Sequence, residues 1–226
     1  MLKVRGFTLA ELLITIGIIG VISAITIPSL INKTQEMENY NRFRKKYSEI
    51  ANATSLLMND YGGKINATTF SDGSPNSEDD NLMTAYLKYL KLQKMCSAGN
   101  IPGNCWNSDS VYRFDNGQLY GGSDWWNNAY DSAAILSDGS YFLIYINTSA
   151  ISCNDNAASS SECARMYVDV NGIKKPNQVG KDIFNMNLHQ TKLGYGREFD
   201  LESKDSSYYG GTGFGMTGYC LTNKCP

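Results

Sequence analysis

Residues 6–31 read GFTLAELLITIGIIGVISAITIPSLI, and this stretch decides the fold. From position 7 to position 31 the chain is almost unbroken apolar sequence, with a single charge, Glu11, inside it. At ~1.5 Å rise per residue, a helix of this length crosses the roughly 30 Å hydrocarbon core of a bilayer. The preceding MLKVRG carries Lys3 and Arg5, which suits a leader held on the cytoplasmic side. The asymmetry is imperfect, because Lys33 and the group Arg42, Arg44, Lys45 and Lys46 follow the apolar run.

Three ordinary segments compete for this pattern. A secretory signal peptide is cut after its apolar run, whereas this run is too long and leads into a helical pattern without such a site. A buried core helix is disfavoured by the same length. A plain signal anchor accounts for length and flanking charge but leaves Glu11 unexplained. A carboxylate within a membrane helix costs at least a few kcal/mol on insertion scales, so it points to a function that needs it.

The stretch GFTLAELLITIGIIGVISAITIPSL resembles the N-terminal signature of type IV pilins and type II secretion pseudopilins. The resemblance is strong over about the first 30 residues and loose over the helix that follows. It implies that a prepilin peptidase cuts between Gly6 and Phe7 and methylates the new amine of Phe7. It also implies that Glu11 pairs with the N-terminal amine of a neighbouring subunit, and that Pro28 is the family's helix-loosening proline. Physical chemistry supports both roles. A buried carboxylate is costly alone and much less so beside a cation, and proline removes a backbone donor and crowds the preceding turn. Gly17, Gly20, Ser23 and Ala24 permit close packing of helices in a membrane.

Beyond Pro28 the helix is expected to run to about position 59. Phe43, Tyr47, Ile50, Thr54, Leu57 and Tyr61 recur in steps of four and three, one stripe on a helix. That stripe should pack on a head domain, while Arg42, Lys45, Lys46 and Glu49 face elsewhere. Gly62 and Gly63 end the helix. After a polar loop over 62–80, a second helix is predicted over 81–94, capped near Asp79 and Asp80, with Leu82, Tyr86, Leu87 and Leu90 as its apolar face. Strands are predicted at 111–114 and 118–120 around Asp115, Asn116 and Gly117, and at 133–136 and 141–146 around Ser137, Asp138, Gly139 and Ser140. Further strands fall at 166–170 and, more weakly, at 184–188, and the chain after Phe199 reads as irregular. The fold class is α+β: a long N-terminal helix, membrane-spanning in its first half, packed on a C-terminal antiparallel β-sheet head. The expected divisions are 1–6 leader, 7–31 transmembrane and assembly helix, 32–61 amphipathic continuation and 62–226 head.

Six cysteines fall as three close pairs, Cys96 with Cys105, Cys153 with Cys163 and Cys220 with Cys225. An even count in loop-like surroundings reads as disulfides in an oxidising compartment, although six thiols allow 15 connectivities and this pairing rests on proximity. A metal site is the competing reading, weakened by the absence of CxxC and by a single histidine, His189. A net charge of -2 gives no footprint for nucleic acid.

One head segment has the oxygen pattern of a hard-cation loop. Asp169-Val170-Asn171-Gly172 is followed by Pro176-Asn177 and Gly180-Lys181-Asp182. Asp169, Asn171 and Asp182 are the candidate ligands, with calcium as the ion, although no acidic residue stands where an EF-hand needs its bidentate ligand. The plain alternative is a turn in which Asp and Asn bond local backbone. A stretch of the form VDxNGxxxPNxxGxD also occurs in many pilin-like proteins. No catalytic residues stand out: His189 has no GxSxG or cysteine partner motif, so an enzyme is not expected. The aromatic pairs Trp125-Trp126 and Tyr208-Tyr209 suit either core filling or a stacking surface.

The expected function is a structural subunit of a type II secretion-like pseudopilus or a type IV pilus. Its implied partners are the prepilin peptidase, other pilin or pseudopilin subunits, an inner-membrane assembly platform and membrane lipid. It would sit in the cytoplasmic membrane as a single-pass protein with an extracytoplasmic head, reaching the periplasm or cell surface on assembly. The alternative is a membrane-anchored extracellular binding protein that never polymerises.

Overall fold

The computed structural model describes residues 6–65, 82–97, 100–101, 103–106, 132–146, 153, 162–175, 177–178 and 180–195. The expected strands at 111–114 and 118–120, the cap at Asp79-Asp80, both aromatic pairs, the Cys220/Cys225 pair and the tail after Phe199 lie outside these residues. Among these residues two helices and six strands follow in the order α1 (Leu9–Asp60), α2 (Leu82–Leu87), β1 (Leu92–Ser97), β2 (Ser132–Leu136), β3 (Tyr141–Ile146), β4 (Ala164–Asp169), β5 (Ile183–Leu188) and β6 (Leu193–Tyr195). The chain divides into two compact units, Met1–Glu38 and Asn39–Pro226, and the division falls inside α1.

In the first unit α1 is largely exposed, and through Ile31 it is almost entirely apolar. Leu12, Ile16, Ile19, Ile22, Ile27 and Leu30 are each more than half exposed. Three of its hydroxyls are satisfied within the helix: those of Thr15, Thr26 and Thr34 donate to the carbonyls of Leu12, Ile22 and Leu30 at 2.8, 3.0 and 2.9 Å. That leaves a lipid-like solvent little hydrogen-bonding demand to meet. Among the described residues α1 is the one helix long and apolar enough to cross a membrane.

The second unit is built around a sheet with simple topology, six strands in sequence order with every pair antiparallel. Side chains alternate between its two faces. Phe142, Ile144 and Ile146 of β3, Met166 and Val168 of β4, and Phe184, Met186 and Leu188 of β5 meet the stripe of α1. Phe43 stacks on Phe184 with ring centroids 4.1 Å apart, and Tyr40 meets the same ring edge-on at 6.1 Å. Phe43, Ile50, Thr54 and Leu57 are buried, with Tyr47 and Tyr61 packed beside them, as the periodicity predicts. On the opposite face Ala133, Leu143, Tyr167 and Ile183 are covered by Ile101, Trp106 and the Cys96–Cys105 bridge. Burial on both faces is why β5 is buried at all six positions and β3 reads as a continuous apolar run, YFLIYI.

Two expectations are corrected. The second helix stops at Leu87, well short of 94. Tyr86 and Leu90 are buried as expected, and the amides of Tyr89 and Leu90 both donate to the Tyr86 carbonyl, but Leu92–Ser97 form β1 against β2. An antiparallel ladder plus the Cys96–Cys105 bridge outweighs a weak local helical tendency. Lys46 does not face away from the head. It is buried at 5% exposure, with its ammonium 2.7 Å from Asp138 of the β2–β3 turn and 2.6 Å from Glu49. Position 46 is three residues after Phe43 and therefore shares its face. The long aliphatic stem is buried while the charge reaches its partners.

Cys153 and Cys163 are bridged, with Cα atoms 4.9 Å apart, and both sulfurs lie 3.5 Å from the carbonyl oxygen of Ile65. The Ile65 amide donates to Gln190 at 2.9 Å, so the segment leaving α1 is fastened to the β5–β6 connection. At α1's end Gly63 donates to the Met58 carbonyl at 2.7 Å, and φ values of 74° at Gly62 and 89° at Gly63 explain the paired glycines.

Truncating the stacked ring tests this packing. Phe43→Ala should lower stability by about 3–5 kcal/mol, whereas Leu56→Ala on the exposed side of α1 should stay within about 0.5 kcal/mol. Urea unfolding of the detergent-solubilised chain, followed by circular dichroism, measures both.

Candidate functional site

Gly6, Phe7 and Thr8 precede the first turn of α1 without regular structure, and Phe7 is 90% exposed. An exposed segment outside regular structure suits a bond that a peptidase must reach. Thr8 and Glu11 form a capping box: the Thr8 amide donates to Glu11 Oε2 at 2.9 Å, and its hydroxyl to the same oxygen at 2.8 Å. The Glu11 amide in turn donates to Thr8 Oγ1 at 3.2 Å. One carboxylate therefore satisfies the helix start and also meets the positive end of the helix dipole. Sequence reasoning passed over Thr8, although the T-x-x-E spacing that signals such a box was in plain view. Pro28 lies within α1, where its ring nitrogen has no hydrogen for the carbonyl of Ala24.

The second constellation lies between β4 and β5. Asp169, the last residue of β4, stands opposite Tyr141 and Ile183 in the sheet. Its Oδ1 accepts the amides of Asn171 at 3.1 Å and Gly172 at 2.9 Å, the local turn that the sequence offered as the plain reading. Asp182 gathers the far side of the loop. Its Oδ2 accepts the Asn171 side-chain amide at 3.1 Å and the Asn177 backbone amide at 2.8 Å, and its Oδ1 accepts Gln178 at 2.6 Å. Asp169, Asn171 and Asp182 are thus brought into one bonded loop. Asn177, which sequence reasoning missed as a member, completes it in a left-handed conformation at φ 50°.

Glycine at 172 is required twice over. Its φ is 65°, and a Cβ there would collide with the carbonyl oxygen of Gly139. The loop consequently lies directly on the β2–β3 turn, in which Asp138 accepts the amide and hydroxyl of Ser140 at 3.1 and 2.6 Å.

Three side-chain oxygens in the β4–β5 loop are buried without a hydrogen-bond partner: Asp169 Oδ2, Asn171 Oδ1 and Asn177 Oδ1. Asp169 and Asp182 are both fully buried. Burial and the neighbouring Asp182 charge hold the Asp169 carboxyl well above its usual range, despite the two amides it accepts. Burial likewise pushes Asp182 from 3.8 up to about 6, partly opposed by its bonds from Gln178, Asn177 and Asn171. Among the described residues no three His, Cys, Asp or Glu side chains converge, so any cation here would need the asparagine amide oxygens as well. His189 is buried beside Gly194, where an added Cβ would approach its ring to 3.0 Å, the setting of a packed core side chain.

Comparison with known proteins matches the prokaryotic N-terminal methylation motif to residues 1–27, consistent with the type IV pilin and pseudopilin family. No curated protein and no solved structure matches the chain. The motif points to a pilin- or pseudopilin-type precursor and implies prepilin peptidase processing and pilin-type assembly in general. Together with the apolar N-terminal helix it suggests membrane anchoring.

The loop yields two tests. Asp182 binds its proton more tightly in the folded chain, so this contribution to stability is complete below pH 3.8 and is lost as pH rises through about 6. In chelator, thermal melts should show a midpoint that falls across that window, and Asp182→Asn should flatten the fall. Gly172→Ala should cost more than about 1 kcal/mol in urea unfolding, through both strain and collision.

Proposed function

We propose that this chain is a filament subunit made as a prepilin, cut between Gly6 and Phe7, methylated at the Phe7 amine and polymerised through its N-terminal helix. The filament is of the secretion-pseudopilus or pilus kind. Its head emerges on the extracytoplasmic side, and the bridges Cys96–Cys105 and Cys153–Cys163 suit that oxidising address. Its partners would be the prepilin peptidase, an inner-membrane assembly platform and other subunits of the filament.

The observation that carries this reading is Glu11, the one charge in residues 7–31. In the single chain Thr8 lowers the cost of that carboxylate with two donors on Oε2. Those donors are neutral, so the negative charge remains. Cleavage after Gly6 creates the complementary group, an ammonium at Phe7 on every subunit. A carboxylate on one helix and an ammonium on the next neutralise each other in a medium where neither is stable alone. Cleavage thereby converts a merely anchored helix into one whose charge is best satisfied by a neighbour. Gly17 and Gly20 lack side chains and leave open space around their backbones, which favours the close approach that this pairing requires.

Mass spectrometry of the protein recovered from its native host tests the processing step. The expected mature chain begins at methylated Phe7, and a chain that still begins at Met1 would sink the reading. Glu11→Ala separates assembly from anchoring. The variant should be cut normally and remain in the membrane, yet its incorporation into filaments should drop by at least tenfold. Unchanged incorporation would refute the charge-pairing mechanism, and a cut wild-type chain that enters no filament would favour a monomeric tethered protein.

A further inference from the structure

We propose that the tip of the β4–β5 loop, Ile173 followed by Lys174 and Lys175, docks the head on the anionic lipid surface of the membrane that anchors the chain. Among the described residues after α1, three large apolar side chains are exposed, Leu92 at 41%, Met95 at 37% and Ile173 at 73%. A scattered exposed apolar side chain is ordinary on a protein surface, but Ile173 is held outward by a fastened loop. Asp169 accepts the backbone amides of Asn171 and Gly172, and Asp182 accepts those of Asn177 and Gln178. Gly172 lies so close to the Gly139 carbonyl that even a Cβ would collide with it, which leaves no room beneath the tip on that side.

The exposed charge around the tip has one sign. Lys174 and Lys175 are exposed, and Lys181 is half-buried at the far side of the same loop. The nearby carboxylates are turned inward: Asp169 and Asp182 are buried, and Asp138 is engaged by Lys46. On α1, Arg42 and Lys45 are also exposed, close in sequence to Phe43, whose ring stacks on Phe184 two positions after Asp182. This end of the head therefore offers lysines and arginine around one apolar side chain. That combination suits phospholipid headgroups, whose phosphates meet the ammonium groups while the isoleucine enters the acyl boundary.

The anchor brings such a surface within reach. Tyr40 packs on Phe184, and the apolar run ends at Ile31, so at most roughly 32 Å of chain separates the two points whatever its course. A weak surface attraction then acts within one molecule, at high effective concentration. Release of the head from the leaflet becomes one of the steps by which an anchored subunit leaves the membrane. This inference rests on the membrane anchoring of the proposed function and not on cleavage or polymerisation.

The test places the full chain in nanodiscs of phosphatidylcholine brominated on its acyl chains, with or without about one third phosphatidylglycerol. Ile173→Trp reports lipid contact through quenching of its emission, against the background set by the three tryptophans of the parent. The expected quenching is at least about twofold that of the parent in discs with phosphatidylglycerol, with no excess in its absence or in about 1 M sodium chloride. Adding Lys174→Glu and Lys175→Glu should abolish the excess, whereas Lys174→Arg with Lys175→Arg should keep it. Excess quenching that is equal in both lipids, or that survives the glutamates, would overturn the proposal. So would an excess that appears only in discs loaded with two chains, which would assign the tip to a neighbouring subunit. A chain that enters the discs without excess quenching refutes the docking alone, and a chain that does not enter refutes the anchor on which it depends.

Discussion

The contact between Phe43 and Phe184 fixes where the second half of α1 lies on the sheet, and most of the head follows from it. Once those rings stack, the steps of α1 bring Ile50 and Leu57 over the same face, and Thr54 meets the hydroxyl of Tyr86 at 2.8 Å. Tyr86 then stands edge-on to Phe142 of β3, which draws α2 into the same core. The rest of the sheet has little freedom. Each strand is joined to the next by an antiparallel pairing, and the second face is closed by Trp106 and the Cys96–Cys105 bridge. The helix whose first part is apolar and exposed is thus held to the sheet by its second part.

The side chains of α1 change character along its length. Up to Ile31 its side chains are almost all apolar and exposed, an arrangement that suits lipid better than water. From Tyr40 onward the same backbone carries a stripe that is buried by protein. Thr15, Thr26 and Thr34 turn their hydroxyls inward to the helix backbone, while Thr54 adds a partner from α2. The side chains thus record where each environment begins.

The long helix, the α+β class and the hairpin around Asp138 and Gly139 were legible in the sequence, because each rests on a local signal: periodicity, apolar length or turn chemistry. The residues of the two candidate sites were legible in part. Glu11 stood out because a charge in apolar sequence needs no structure to be noticed, whereas Thr8 matters only through its bonds to that charge. Asp169 and Asp182 stood out as oxygen donors, but Asn177 became visible only when folding left its amide oxygen buried and unmet. Lys46 was misread because a lysine among lysines and arginines looks solvated, and its partner Asp138 lies about ninety residues away. The second helix was overextended for a related reason: Leu92–Ser97 carry no strong local preference, and their state is set by β2, which lies far along the chain.

The bridge between Lys46 and Asp138 has a mechanical consequence. Pulling the chain along the axis of α1 would load this ion pair and the stacked rings of Phe43 and Phe184 together, because both join the second half of the helix to the sheet side. Contacts loaded together share force, whereas contacts peeled one at a time do not. The turn that holds Asp138 passes its share to the loop beneath Gly172, so tension on the helix would spread into the sheet through two strand connections at once.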